Sequence, residues 1–106
     1  MPINIQASSE VVTVYLSGEI DHHSAKPIRE EIDNAIEFNM PSLLILDFGD
    51  VSFMDSSGIG LVMGRFRNLQ KNGASLSITR LPPNIYKVMK LSGIEKLAKI
   101  EKGEDK

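Results

Sequence analysis

No cysteine occurs in the 106 residues, which excludes disulfides, thiolate nucleophiles and cysteine-ligated zinc and fits an intracellular setting. No apolar run approaches the roughly 20 residues needed to cross a bilayer. The start, Met1-Pro2-Ile3-Asn4, lacks the basic and apolar regions of a signal peptide, so no membrane partner is expected and the expected location is the cytoplasm. Aromatic residues make up only 6% of the chain, and no basic cluster accompanies them, so nucleic acid is not an expected partner. Internal repeats, linkers and a Gly-x-Ser-x-Gly elbow are also missing. What remains is an ordinary globular composition, 42% hydrophobic and 25% charged, sufficient for one core.

The net charge of −2 is unevenly distributed. Residues 1 to 55 carry two cations against ten carboxylates, and residues 56 to 106 carry ten cations against four. Such asymmetry serves either to steer a protein partner or to let two halves interleave on one surface.

The chain is organised around residues 43 to 71. Leu43-Leu44-Ile45-Leu46 reads as a strand buried on both faces, ending in Asp47-Phe48-Gly49-Asp50, after which a loop is expected. Beyond Asp55-Ser56-Ser57-Gly58, apolar residues at Ile59, Val62, Phe66 and Leu69 keep the spacing of an amphipathic helix. Two serines and an aspartate thus stand where a strand gives way to a helix, and the unpaired amides there favour an aspartate or serine cap and accommodate a phosphate. Position alone does not separate a simple cap from a switch, nor Ser56 from Ser57.

Before this centre, Ile3-Asn4-Ile5 and Val11 to Leu16 predict an opening hairpin, and Ser17 to Ser24 a polar loop. Ile28, Ile32, Ala35 and Ile36 predict a helix with Pro27 in its first turn, stopped by Asn39 and Pro41. After it, Ala74 to Ile78 alternates as a strand, Pro82-Pro83 opens a helix that Ser92-Gly93 ends, and Leu97 to Ile100 forms a last strand. Gly60 and Gly64 suit close approach of another backbone, within the fold or from a partner, while Arg65 and Arg67 are expected in solvent. This order predicts an α/β domain over residues 1–100, a mixed four- to five-stranded sheet covered by amphipathic helices, with a charged C-terminal tail over 101–106. The Asp21-His22-His23 loop and the Asp55-Ser56-Ser57 turn each follow a strand and precede a helix, which puts a candidate site at one end of the sheet.

Gly18-Glu19-Ile20-Asp21-His22-His23, with Phe53 to Gly60 and Met63-Gly64-Arg65-Phe66, resembles the anti-sigma factor antagonists of the STAS domain family. The serine turn carries the family, and the Asp-His-His segment is similar to its sporulation branch. The resemblance implies a STAS-like single domain with no catalytic role, no metal and no cofactor. It implies that Ser56 is phosphorylated by an anti-sigma factor serine kinase, that only the unphosphorylated form binds this kinase and releases the sigma factor, and that a PP2C-type serine phosphatase resets the switch. The residues it points to for partner binding are Asp21, His22, His23, Met54, Asp55, Ser56, Ser57, Gly58, Ile59 and Gly60, on a protein monomeric when free. Members usually continue into a C-terminal helix, whereas Gly103 to Lys106 follow the last strand here. Met54 and Ile59 serve equally well as core residues.

Three other readings compete. A general-stress antagonist belongs to the same family. A receiver domain would use Asp47 as its phosphoacceptor, although the acidic pair and lysine that accompany such an aspartate are missing. Ser56, His22 or His23, and Asp21 or Asp55 supply the residue types of a hydrolytic triad without its elbow.

Overall fold

The computed structural model describes residues 3–103. β2 (Val11–Ile20) and β3 (Leu43–Met54) form the parallel centre of the sheet, with Val12 opposite Leu44 and Val14 opposite Leu46. β1 (Ile3–Ala7) folds back antiparallel on β2, while β4 (Ser75–Leu81) and β5 (Lys99–Lys102) add in parallel beyond β3, giving the order β1-β2-β3-β4-β5. α1 (His22–Asn39), α2 (Ser56–Gln70) and α3 (Pro83–Leu91) are the crossovers. Each advances the chain by one strand in the same direction, so the right-handed rule for such crossovers lays all three on one face. Their apolar residues Ile28, Ile32, Ile36, Leu61, Val62, Leu69, Ile85 and Met89 join Val14, Leu46, Phe48 and Ile78 in a single core. The expected mixed sheet with amphipathic cover is thus the fold.

Several details differ from expectation. β3 is not buried on both faces throughout: Ile45 sits half-buried between Thr13 and Ser77 in register, while Leu44, Leu46 and Phe48 on the other face are fully buried. The loop expected after Asp50 is instead strand, because β2 and β3 keep pairing as far as Ile20 and Met54 across two register shifts. Gly18, at φ +76°, permits this irregular run, and Ser52 Oγ donates to its carbonyl at 3.2 Å. The loop expected over Ser17 to Ser24 is therefore strand as far as Ile20, followed immediately by helix. Pro27 lies inside α1, five residues after its start, since a strong cap at Asp21 holds the turn that precedes it. A 3-10 turn over Ile94–Lys96 displaces the last strand to Lys99–Lys102, so the boundary expected at residue 100 falls within β5; residues 104–106 of the expected tail lie outside the described part.

Arg65 is not solvated. It is 5% exposed in the α1–α2 packing, with Nε 2.8 Å from Asp33 Oδ1. Both ion pairs among the described residues, Arg65 with Asp33 and Arg80 with Asp47, join the basic half of the chain to the acidic half. Interleaving of the two halves is thus part of the packing.

Candidate functional site: the paired helix starts at the carboxyl ends of β2 and β3

Ile20 and Met54 are partners in the parallel register, so the residues after them emerge side by side, and the Asp55 amide donates to the Ile20 carbonyl at 3.1 Å. Two aspartates follow from this, and each caps a helix. Asp21 Oδ1 accepts from the amides of His23 and Ser24, both at 2.9 Å, while Ser24 Oγ accepts from the Asp21 amide at 3.0 Å. This is a capping box with aspartate and serine as its partners. Asp55 Oδ1 accepts from the Ser57 amide at 2.7 Å, and the Gly58 amide donates to the Asp55 carbonyl at 3.0 Å. The Ser24 amide, chiefly, holds the Asp21 carboxyl below the usual carboxylate range against the opposing effect of burial, with His23 adding to it.

The two serines point to different surroundings. Ser56, the first residue of α2, is exposed. Ser57 is half-buried and lines a cleft of about 400 Å³ between α1 and α2, facing His22, Lys26 and Arg29. Lys26 and Arg29 were missed in the sequence, although they follow His22 at the i, i+4, i+7 spacing of one helix face. Starting α1 at the Asp21 cap would have found them. Phe53, half-exposed just before the turn, was also passed over as a surface residue.

The glycines divide. A Cβ on Gly58, which is buried, would overlap Cγ and Sδ of Met54, whereas at Gly60 no heavy atom stands within 4 Å of that position. Met54 and Ile59 are partly buried against the core, so they fix the turn from below. Gly58→Ala is therefore expected to lower unfolding stability by about 1–2 kcal/mol through forced repacking of Met54. Gly60→Ala should raise it by about 0.5–1 kcal/mol, since helix propensity alone changes. Urea unfolding of the pair checks this, and a loss at both positions would refute the open space at Gly60.

The competing sites are not assembled. Among the described residues no histidine side chain is hydrogen-bonded to Ser56, Asp21 or Asp55; the rings of His22 and His23 meet edge-on at 5.8 Å. Among the described residues, no three His, Asp or Glu side chains converge. Asp47 is 6% exposed and already engaged: Arg80 Nε and Nη2, Thr79 Oγ1 and the Gly49 amide all donate to its carboxylate at 2.9 to 3.2 Å. A phosphoacceptor needs a free oxygen, and this one has none.

The sequence profile of the STAS domain matches residues 2–106. An anti-sigma F factor antagonist from Paenibacillus polymyxa is 31% identical over 96% of this chain and 91% of its own length. The chain belongs to the STAS domain family, among its anti-sigma factor antagonists. The anti-sigma-B factor antagonist of Bacillus subtilis (strain 168) is 29% identical over 92% of this chain and 88% of the relative. The solved structure of the anti-sigma factor antagonist SpoIIAA in its unphosphorylated form superposes with a TM-score of 0.82 at 34% identity, covering 92% of this chain and 86% of that one. No described helix of this STAS protein is long and apolar enough to cross a membrane.

Proposed function

We propose that this antagonist is a phosphorylation-switched binding module, not a catalyst, whose switch is Ser56. Unphosphorylated, it binds an anti-sigma factor that is also a serine kinase and so frees the sigma factor. That kinase then phosphorylates Ser56 and ends the binding, and a PP2C-type phosphatase restores it. The observation that carries this reading is the exposure of the Ser56 hydroxyl at the start of α2, next to two carboxylates fixed by their caps. A kinase reaches it without unfolding anything. Asp21, His22, His23 and the turn from Met54 to Gly60 form the contact face, on a protein monomeric when free.

Sporulation is the setting we favour, because the P. polymyxa relative is an anti-sigma F antagonist and the Asp21-His22-His23 segment resembles that branch. The test is intact-mass and site mapping after incubation with ATP and the anti-sigma kinase from the same genome, beside Ser56→Ala. One phosphate on Ser56, absent from the variant and accompanied by release from the kinase, is the expected result. Displacement of a general-stress sigma factor in place of a sporulation one would reassign the branch, and phosphate on any other residue would reject the switch.

A further inference from the structure

The cleft beside Ser57 lies at one end of a seam between α1 and α2, and a second hollow of about 570 Å³ lies at the other, bounded by Asp33 and Glu37 on α1 with Met40 just after it, and by Gly64 and Arg65 on α2 with Lys71 just after it. Two features of this seam are left incomplete by the fold. Gly60 and Gly64, one helical turn apart, show no heavy atom within 4 Å of where a Cβ would stand, so a bare strip of α2 backbone faces open space at a cost in helix stability. Arg65, nine-tenths buried and lining the second hollow, has no hydrogen-bond partner for Nη1. Its Nε lies near Asp33 Oδ1 but is poorly aligned, and that oxygen already accepts from Asn68 Nδ2 at 2.9 Å. A buried guanidinium left so incompletely paired is costly, and a carboxylate is its natural complement.

Charge points the same way. Lys26, Arg29, Arg65, Arg67 and Lys71 line the two hollows against Asp33 and Glu37 only. We propose that the α1–α2 seam seats an acidic segment of the anti-sigma kinase, laid over the bare backbone of Gly60 and Gly64 with its carboxylates facing the hollow that Arg65, Arg67 and Lys71 line. This rests on the function proposed above and extends the contact face from the Ser56 turn to Lys71. It also explains how a partner that must lose its hold when one serine is modified keeps a footing large enough to recognise this protein at all.

The test is calorimetric titration of the full-length protein with the kinase, using variants that leave Arg65 in place. Gly64→Gln fills the bare strip and Lys71→Glu reverses a charge; each is expected to weaken binding about tenfold, Gly64→Gln with the thermal midpoint unchanged or raised. Lys87→Glu, a charge reversal at an exposed position of α3 outside the seam, should bind within about threefold of wild type. If Gly64→Gln and Lys71→Glu bind like wild type while Ser56→Asp does not bind, the seam is not an interface although the switch stands. If wild type itself fails to bind the kinase, the proposed function falls and the named occupant with it. A concentration-dependent dimer in sedimentation, dissolved by Gly64→Gln, would assign the seam to a second copy of this chain and overturn the proposal.

Discussion

Ser56→Asp is expected to weaken binding to the anti-sigma kinase at least about a hundredfold while moving the thermal midpoint by no more than about 2 °C. The two halves of this result have separate causes. Stability is spared because Ser56 is exposed and its hydroxyl makes no hydrogen bond among the described residues. Binding is lost because the new charge has nowhere inward to go. A helix start ordinarily offers free amides to an anion, but here Asp55 already takes the amides of Ser57 and Gly58 with its carboxylate and its carbonyl. With those two amides engaged, a phosphate on Ser56 is expected to stay on the surface, beside two aspartates, where it adds bulk and like charge to the contact face. A desolvated charge without a partner in an interface costs about 2–5 kcal/mol, enough for the stated loss.

Ser57→Asp is the control that makes the result specific. Ser57 lines the same cleft as Lys26 and Arg29, so an added carboxylate finds cations there, and a smaller loss is expected. Equal losses at both positions would mean that the turn as a whole was disturbed. An Ser56→Asp variant that bound within about threefold of wild type would sink the local-blocking account.

How much of this was legible in the sequence depended on whether the signal was local. Leu43 to Leu46 announced a central strand because a short unbroken apolar run marks one, and Ile59, Val62, Phe66 and Leu69 announced α2 because burial on one side imposes its period on the sequence. Ser56 stood out because the residue types of a helix start are themselves local. What stayed hidden was set by contacts between distant segments. Gly49, Asp50 and Ser52 look like turn residues, yet they are held in strand by pairing with Ser17 to Ile20. Pro27 suggested a helix start that the Asp21 cap pre-empts, and this shift concealed the face shared by His22, Lys26 and Arg29. Arg65 reads as a surface cation until Asp33, on another helix, is placed beside it. Asp47 reads as a strand-end phosphoacceptor until Arg80 is found across the sheet.

That last pair should dominate acid sensitivity. Arg80→Leu is expected to cost about 2–3 kcal/mol at neutral pH, less than the 3–5 typical of a fully buried pair because the Arg80 side chain is 53% exposed. Burial pushes the Asp47 carboxyl up; the Arg80 hydrogen bonds, the Gly49 amide and Thr79 outweigh it and hold it below its ordinary value. A carboxyl depressed in the fold stabilises at any pH above its unfolded value of about 3.9, and that stability drains away as pH falls from there through the folded value. The paired Arg80 is shifted up by the same hydrogen bonds and keeps its charge throughout this range. Without Arg80, desolvation is opposed only by two neutral donors, so protonation of Asp47 relieves the variant where it harms the wild type. The stability gap between them, measured by urea unfolding from pH 7 to pH 3, should therefore narrow on acidification; a gap constant with pH would show that the pairing does not govern it. The backbone points to the same pairing. Arg80 sits at φ +50°, a conformation that costs a side-chain-bearing residue on the order of 1 kcal/mol, at a register shift between β4 and β5. A Cβ on Gly49 would overlap its guanidinium. Strain at one residue and the absence of a side chain at another are both explained by a single requirement, that a cation lie across Asp47 and tie β4 to β3.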